Sequence, residues 1–257
     1  MKFRLEIVFT ILIIAVLSAC EAGKNSEKKL IINQNSSKEE RIVELNKPVF
    51  CLSVVIPNSP NPKRRAIGTG FLVSENLLAT AFHVKEDLDK EVSRYLSSKL
   101  HNVLPPAQIM AWKKFENGDY LEFPLNLAGF DQDSDLALFS FEVEDLKQQA
   151  KTREITPFLL ADRLPDLGED ILSIGYYSEM EFPFNSLGNV STIENGEDIY
   201  SDLTLMPGNS GSPLISMKTG EVLGLNIKVM TMGDGTIRLG ISKKISKLQE
   251  LIKRVNP

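Results

Sequence analysis

The chain has 257 residues, of which 42% are hydrophobic and 25% are charged, a composition typical of a globular protein with one large domain or two small ones. With 29 Lys and Arg against 34 Asp and Glu the net charge is −5, and without a basic excess the sequence gives no sign of a nucleic-acid partner. Two cysteines cannot form a disulfide framework, and the two Cys and two His residues show no metal-ligand spacing.

Residues 1–19 have the features of a secretory signal peptide. Lys2 and Arg4 precede an apolar run at 7–17, which is too short to span a bilayer, since that needs about 20 residues. The run ends in Leu-Ser-Ala before Cys20 and resembles the bacterial lipobox, in which the cysteine becomes the acylated first residue. This predicts a lipoprotein anchored to the membrane through Cys20, and the alternative is a short transmembrane anchor.

Residues 20–46 are mostly polar and charged, which predicts a flexible, lipidated tether between the membrane and a folded domain. The domain itself is expected over 47–257. Cys51 lies inside an apolar run near its start, so we expect a small buried hydrophobe rather than a reactive thiol.

Short β-type runs alternate with turn residues along the predicted domain, which favours an all-β barrel or sandwich over βαβ units. The predicted strands are 49–56, 66–73, 77–82, 106–112, 136–143, 170–177, 187–193, 212–216, 221–230 and 236–241. Apolar residues recur every four positions from Val84 to Leu100, which predicts a helix directly after His83. A second helix is predicted near the C-terminus, from Ile245 to Ile252.

Three separate segments carry residues suited to nucleophilic catalysis. His83 closes an apolar strand, Asp135 opens another, and Ser210 lies in a turn between Gly208 and Gly211. A serine hydroxyl needs a base to take its proton, and an imidazole oriented by a carboxylate supplies that base. The two glycines allow a tight turn whose amide N–H groups can converge on a developing oxyanion.

The order His, Asp, Ser is one in which this triad occurs, and it differs from the Ser, Asp, His order of α/β-hydrolases. Position 212 is Ser, so the Gly-x-Ser-x-Gly motif of those enzymes is absent as well. Asp135 is preferred as the acid because it directly begins an alternating strand, while Asp133 remains the alternative.

These residues stand in longer motifs, which are Ala79-Thr80-Ala81-Phe82-His83, Asp135-Leu136-Ala137-Leu138 and Pro207-Gly208-Asn209-Ser210-Gly211-Ser212-Pro213. Together they resemble the trypsin-like serine peptidases of the chymotrypsin fold, and most closely the bacterial Deg/HtrA branch. The resemblance covers about 47–257. It implies an all-β fold of two six-stranded antiparallel β-barrels, followed by a C-terminal helix, with the active site in the cleft between the barrels.

The same resemblance implies a serine endopeptidase that hydrolyses extracytoplasmic proteins or peptides through an acyl-enzyme, at the bacterial cell envelope. Ser210 would be the nucleophile, His83 the general base and acid, and Asp135 the orienting carboxylate. The amide N–H groups of Gly208 and Ser210 would form the oxyanion hole. No metal or organic cofactor is expected, and the oligomeric state is left open.

Substrate preference follows from the residue six positions before the nucleophile, which lies at the base of the primary pocket in this family and is Thr204 here. The other expected pocket residues are Leu225, Asn226, Ile227 and Ile241. A neutral pocket of this kind predicts small or medium apolar residues, such as Val, Ala or Leu, before the cleaved bond. Cleavage after Glu is not expected, because glutamyl endopeptidases use a pocket histidine and the cleft-lining run 225–228 contains none. Asp202 is the candidate pocket acid if cleavage instead follows Arg or Lys.

The sequence also departs from the family pattern. No PDZ domain is expected after the peptidase domain. Asn209 stands where the digestive branch has an Asp that pairs with a newly cut N-terminus, so activation by cleavage is not expected. The stretch 84–105 is longer than the family needs and is expected to overhang the cleft. His101 within it is expected to be a surface or loop histidine, with a gating function as the alternative.

Two other classes of function remain open at this point. One is a binding module, an adhesin or chaperone that uses the trypsin-like fold with little turnover. The other is a structural envelope lipoprotein in which the motifs are incidental. The intact set of His83, Asp135 and Ser210 favours the enzyme over both.

Overall fold

The computed structural model describes residues 28–56, 66–98, 106–150, 153–178, 180–232 and 237–256. These residues form mostly β-structure, as predicted, in two antiparallel sheets. The strands are β1 (Val49–Val55), β2 (Gly68–Leu72), β3 (Leu77–Ala81), β4 (Gln108–Lys114), β5 (Tyr120–Pro124), β6 (Asn126–Asp131), β7 (Leu136–Ser140), β8 (Asp170–Tyr176), β9 (Pro183–Glu194), β10 (Asp198–Ser201), β11 (Pro213–Ser216), β12 (Val222–Met232) and β13 (Ile237–Lys244). The helices are α1 (Lys38–Asn46), α2 (Phe82–Leu96), α3 (Val143–Ala150) and α4 (Ile245–Val255). Within the ranges given, each helix is too short or too polar to cross a membrane.

The first sheet has the strand order β5-β4-β1-β2-β3-β7-β6. Its two outermost strands are neighbours in the chain, because β5 ends at Pro124 and β6 begins at Asn126. Leu125 between them donates its amide N–H to the carbonyl oxygen of Ile109 at 2.9 Å. As described, this first sheet has seven strands and is not closed, so it forms a half-barrel where a six-stranded barrel was predicted.

The second sheet is a closed six-stranded barrel with the order β10-β13-β12-β11-β8-β9, as predicted. It packs against the first sheet through β8, which contacts β1 and β2. At this junction Trp112 of β4 meets Tyr176 of β8, with their ring centroids 5.7 Å apart. Buried strands on both sides of the junction hold the two sheets together and leave the cleft at their edge.

The two predicted helices are both present. Helix α2 follows β3 without a loop and buries Val84 and Leu88 against the first sheet. Gly68 of β2 makes this close approach possible, because a Cβ at that position would overlap the side chain of Val84. Helix α4 ends the described chain and buries Ile245, Leu248 and Leu251.

The predicted flexible tether is wrong for residues 28–46, which pack on the domain. Leu30 forms a parallel bridge with Phe158, and its N–H donates to the carbonyl oxygen of Pro157 at 2.8 Å. Ile32 is 5% exposed and Leu45, in α1, is fully buried. The polar composition concealed this, because two well-placed apolar side chains suffice to hold a short segment against a core.

Helix α1 is fixed at both ends. At its start Ser37 and Glu40 form a capping box. At its end the buried ammonium group of Lys113 donates to the carbonyl oxygens of Asn46 and Lys47. A cation at this end complements the helix dipole, although burial lowers the pKa of Lys113 to about 7.

Candidate active site

His83 lies in the first turn of α2, at the point where β3 ends. Its backbone N–H donates to Oδ1 of Asp135 at 2.9 Å, and its ring Nδ1 lies 2.8 Å from Oδ2 of the same carboxylate. The first turn of a helix has N–H groups without an intrahelical acceptor, and Asp135 satisfies one of them. The same carboxylate therefore caps the helix and orients the imidazole.

Asp135 reaches this position through the pairing of β3 with β7, which places Ala81 opposite Leu136. Its φ is 54°, a left-handed conformation that costs a non-glycine residue free energy. Two backbone bonds hold it there, from its N–H to the carbonyl oxygen of Gln132 and from Phe82 N–H to its own carbonyl oxygen. Asp133, the alternative acid, is exposed on the preceding turn.

The electrostatic surroundings favour the protonated imidazole. The hydrogen bond to Asp135 raises the pKa of His83 above its usual value, burial opposes this, and the negative charges of Asp135, Asp87 and Glu86 raise it further. The side chains of His83 and Asp135 are 38% and 29% exposed, so solvent moderates these effects. A base of this kind can accept a proton at Nε2 while the carboxylate at Nδ1 stabilises the resulting imidazolium.

Ser210 lies in a tight turn formed by residues 206–212. Gly208 and Gly211 have φ values of 102° and 86°, in the region that favours glycine. Between them Asn209 is 2% exposed, and its side-chain Oδ1 accepts a hydrogen bond from the N–H of Met206 at 2.8 Å. Its own N–H returns a bond to the carbonyl oxygen of Met206 at 2.9 Å, so that Asn209 closes the turn on itself.

Thr69 of β2, for which the sequence predicted no function, joins this turn to the first sheet. Its N–H donates to the carbonyl oxygen of Ser210 at 2.9 Å, and its hydroxyl donates to the carbonyl oxygen of Gly208 at 2.7 Å. The same hydroxyl accepts from the N–H of Tyr176 at 2.8 Å. A buried threonine in a Gly-Thr-Gly strand gave no signal in the sequence, because its partners lie more than 100 residues away.

The turn that carries Ser210 lies next to the end of β3, which precedes His83 in the chain. Gly211 fits against the end of β3, where a Cβ would lie 3.0 Å from the N–H nitrogen of Ala81 and would overlap the carbonyl oxygen of Thr69. Ala81 is two residues before His83. The turn that carries Ser210 therefore abuts the strand that carries the His83–Asp135 pair.

Two amide groups in the turn are available to an acceptor. Among the described residues, the N–H groups of Gly208 and Ser210 donate no hydrogen bond. The carbonyl oxygen of Pro207 accepts a hydrogen bond from the N–H of Ser178 at 3.2 Å. In a trans peptide this directs the N–H of Gly208 to the opposite side. Free N–H groups two residues apart in a rigid turn can stabilise negative charge on an oxygen placed between them.

A cavity of about 310 Å³ opens directly beside Ser210. Its walls come from the chain before Ser210 and from the hairpin formed by β12 and β13. The lining residues are Leu205, Met206, Pro207, Asn209, Ser210, Asn226, Lys228, Val229, Thr231 and Arg238.

Of the predicted pocket residues, only Asn226 lines this cavity. Leu225, Ile227 and Ile241 are buried in the second barrel, and Thr204 is exposed outside the cavity. The apolar residues predicted for the pocket therefore do not line this cavity. The pairing of β12 with β13 shifts register between Asn226 and Lys228, and after this shift Lys228, Val229 and Thr231 line the cavity.

Asn226 of β12 stabilises the 206–212 turn from the side of the second barrel. Its side-chain Nδ2 donates to the hydroxyls of Ser173 and Ser212, both at 2.9 Å, and its Oδ1 accepts from Ser242 at 2.6 Å. Its backbone carbonyl accepts from the N–H of Gly211 at 2.8 Å. This buried and fully bonded network fixes the residues that follow Ser210.

Several other predictions fall outside the described residues. These are the signal peptide 1–19, the acylated Cys20, the start of the tether and His101 with the end of the 84–105 stretch. Cys51 is buried and free, as predicted, and burial raises the pKa of its thiol. In the part of the chain that the structure describes, no group of His, Cys, Asp and Glu side chains is arranged to hold a metal ion.

Comparison with known proteins gives a consistent result. The family model of the trypsin-like peptidase domain matches residues 68–225, which is more than half of the chain. A relative named "Probable periplasmic serine endoprotease DegP-like" from Chlamydia muridarum is 28% identical over 194 residues, covering 71% of this chain and 33% of the relative. A protein of the same name from Pseudomonas putida is 29% identical over 199 residues, covering 72% of this chain and 35% of the relative. The chain thus spans about a third of the length of these relatives.

Solved structures share the fold. The serine endoprotease from Yersinia pestis superimposes with a TM-score of 0.59 at 19% identity, covering 87% of this chain and 68% of that structure. The structure of Deg5 gives a TM-score of 0.57 at 19% identity, covering 86% of this chain and 96% of that structure.

Proposed function

We propose that this chain, which belongs to the family of trypsin-like peptidase domains, is a serine endopeptidase with Ser210, His83 and Asp135 as its catalytic triad. The observation that carries the proposal is the His83–Asp135 pair, with Nδ1 and Oδ2 2.8 Å apart, beside a rigid glycine turn that presents Ser210. The names of the relatives, which are serine endoproteases, support the same activity.

In the proposed reaction the hydroxyl oxygen of Ser210 attacks the carbonyl carbon of a peptide bond. Nε2 of His83 takes the hydroxyl proton as the new C–O bond forms, and the carbonyl electrons move onto its oxygen. Asp135 keeps Nδ1 protonated and stabilises the imidazolium. Its position at Nδ1 supports this assignment, because it leaves Nε2 free to face the serine.

The oxyanion would lie between the N–H groups of Gly208 and Ser210. In many enzymes of this chemistry each such donor contributes about 10²- to 10³-fold to the rate. The imidazolium then gives its proton to the leaving amine, and the C–N bond breaks to leave an acyl-enzyme on Ser210. Water, deprotonated by His83, hydrolyses the ester and restores the hydroxyl.

Replacement of the triad residues tests the proposed activity. Ser210→Ala and His83→Ala should each lower peptide hydrolysis by roughly 10³-fold or more, and the double variant should lose little more, because the residues act as one unit. The measurement is kcat/KM on an unfolded protein substrate, with thermal unfolding to show that each variant is folded. Hydrolysis near the wild-type rate in either single variant would contradict the assignment, and a folded wild type without hydrolysis would favour a binding module.

We also propose that the protein is extracytoplasmic and held to the membrane by lipid on Cys20. The lipobox-like sequence before Cys20 supports this, as do the relatives whose names describe them as periplasmic. Cys20→Ser should leave the protein uncut or release it from the membrane fraction. Full detergent partitioning of a cut Cys20→Ser protein would overturn the proposal.

A further inference from the structure

We propose that the cavity beside Ser210 selects peptides with an acidic residue, Glu or Asp, directly before the cleaved bond. The inference rests on the proposed peptidase function and adds the class of substrate. The proposed acidic preference differs from the sequence-based expectation that an apolar residue precedes the cleaved bond. The reason is the charge of the cavity walls.

Two cationic side chains line the cavity together with Ser210, and they are Lys228 of β12 and Arg238 of β13. Arg238 lies opposite Thr231 in the antiparallel pair, and Thr231 is itself a wall residue. Lys228 follows the register shift after Asn226 and lines the cavity. Each strand of the hairpin therefore contributes one positively charged residue to the lining of the cavity.

No carboxylate lines the cavity among the described residues. Lys228 and Arg238 form no ion pair there, although Lys243 and Lys244 of the same hairpin pair with Asp198 and Glu197 at 2.5 and 2.7 Å. Among the residues that the structure describes, the hairpin thus pairs its other two cations with carboxylates and gives these two no such partner. An unpaired positive charge beside the nucleophile attracts an anionic side chain and repels a cationic one.

Asp202, the candidate acid for cleavage after Arg or Lys, is engaged elsewhere. Its Oδ1 accepts a hydrogen bond from the N–H of Asn189 at 2.6 Å, and it is not among the cavity residues. The described walls of the cavity therefore offer no negative charge to a Lys or Arg side chain. The same geometry disfavours Lys or Arg before the cleaved bond.

The remaining walls suit the stem of a glutamate. Leu205, Met206 and Val229 provide apolar surface near Ser210. The methylene groups of a Glu side chain can pack there while its carboxylate reaches the cations at the rim. Lys228 and Arg238 are exposed, so solvent and salt weaken each pairing.

The test compares peptides that differ only in the residue before the cleaved bond, with Glu, Gln, Lys and Val as the four choices. We expect kcat/KM for Glu to exceed that for Gln by about 3- to 20-fold at low ionic strength, from two partly screened charge pairs. The ratio should fall as salt is added, and the Lys peptide should be the poorest.

Variants assign the preference to the cavity. Lys228→Gln and Arg238→Gln should each move the Glu-to-Gln ratio toward one, and Lys228→Glu should raise the Lys peptide above the Glu peptide. Lys253→Gln is the matched control, because it removes the same charge from the exposed face of α4, outside the cavity, and should leave the ratio unchanged. Thermal unfolding verifies that each variant is folded.

The outcomes separate the two proposals. Hydrolysis with Val or Lys preferred, or a Glu preference that survives in both Gln variants, overturns the acidic preference and leaves the peptidase function standing. No hydrolysis of any of the four peptides or of an unfolded protein overturns both.

Discussion

Asp135 uses its two carboxylate oxygens for different purposes. Oδ1 accepts the backbone N–H of His83 at 2.9 Å, and Oδ2 lies 2.8 Å from its ring nitrogen. The carboxylate thereby positions His83 through both its backbone and its imidazole ring. The left-handed φ of 54° at Asp135 indicates that the surrounding turn holds the carboxylate there against a local conformational cost.

Removing the negative charge of Asp135 should change both the rate and the pH dependence of the proposed reaction. Only neutral His83 can accept the serine proton, so kcat/KM should fall as the pH drops through its pKa, which the hydrogen bond to Asp135 raises. Asp135→Asn removes that stabilisation of the imidazolium, and the acidic limb of the pH profile should move to lower pH. The rate at the plateau should fall by about 10²- to 10⁴-fold.

Asp133→Asn is the control for this prediction, because Asp133 is exposed two residues away and takes no part in the pair. It should leave both the plateau and the acidic limb in place. A large loss in Asp133→Asn, together with a normal profile in Asp135→Asn, would reverse the assignment of the acid.

At the scale of elements, the site depends on how the 206–212 turn is held against β2 and β3. Thr69 bonds to the carbonyl oxygens of both Gly208 and Ser210, and Gly211 fills a gap too narrow for a side chain. On the other side, the buried amide of Asn226 bonds to Ser212. The geometry of the turn is thus a property of both sheets, which meet around it.

Gly211→Ala tests this fit, with Gly118→Ala as a matched control. Both glycines have φ of 86°, so an alanine is equally strained by conformation at either position. A Cβ at Gly211 would overlap Thr69, whereas a Cβ at Gly118 has nothing within 4 Å. We expect Gly118→Ala to lower the free energy of unfolding by about 1–2 kcal/mol and Gly211→Ala by about 3 kcal/mol or more, with loss of activity.

Urea unfolding measures both free energies, and peptide hydrolysis measures the activity. Equal destabilisation by the two substitutions, or full activity in Gly211→Ala, would show that the turn is not fitted against the first sheet as described.

The sequence predicted those elements whose signal is local. Most of the predicted strands are found within a few residues of their expected bounds, and α2 and α4 follow their four-residue apolar repeats. Strands β5, β6 and β10 were missed. The described side chains of β6 are exposed or half-buried, and β10 has only four residues, so neither shows a clear apolar alternation.

Other differences between prediction and structure arise where contacts between residues distant in sequence determine the local structure. The predicted strand 136–143 ends at Ser140, and the chain then turns into α3 from Val143. The pairing of His83 with Asp135 was predictable from motif order. The charged cavity was not, because a shift of one residue in the β12–β13 register changes which side chains face the cleft.

At the scale of the whole molecule, the packed segment 28–46 changes where the domain would stand relative to a membrane. Only residues 21–27 separate Cys20 from the first described residue, and seven residues span at most about 25 Å. If Cys20 is acylated, the domain cannot stand as far from the membrane surface as a tether reaching to residue 46 would allow.

Leu45→Ala tests the docking of this segment, and Val43→Ala on the same helix is its control. Leu45 is fully buried and Val43 is 60% exposed. We expect Leu45→Ala to lower the free energy of unfolding by about 2–4 kcal/mol, and Val43→Ala by less than about 0.5 kcal/mol. Denaturant unfolding gives both values. A similar small effect of both substitutions would mean that α1 does not pack on the core.

The central claim is that Ser210 is a nucleophile activated by His83, and covalent labelling tests it most directly. A fluorophosphonate forms a bond between the serine oxygen and phosphorus while fluoride leaves, and the increase in intact mass counts the modified sites. We predict one adduct per chain, located on Ser210 by peptide mapping, with none in Ser210→Ala and a greatly slowed reaction in His83→Ala. Folded wild-type protein that stays unlabelled, or that carries the adduct on another serine, would contradict the account.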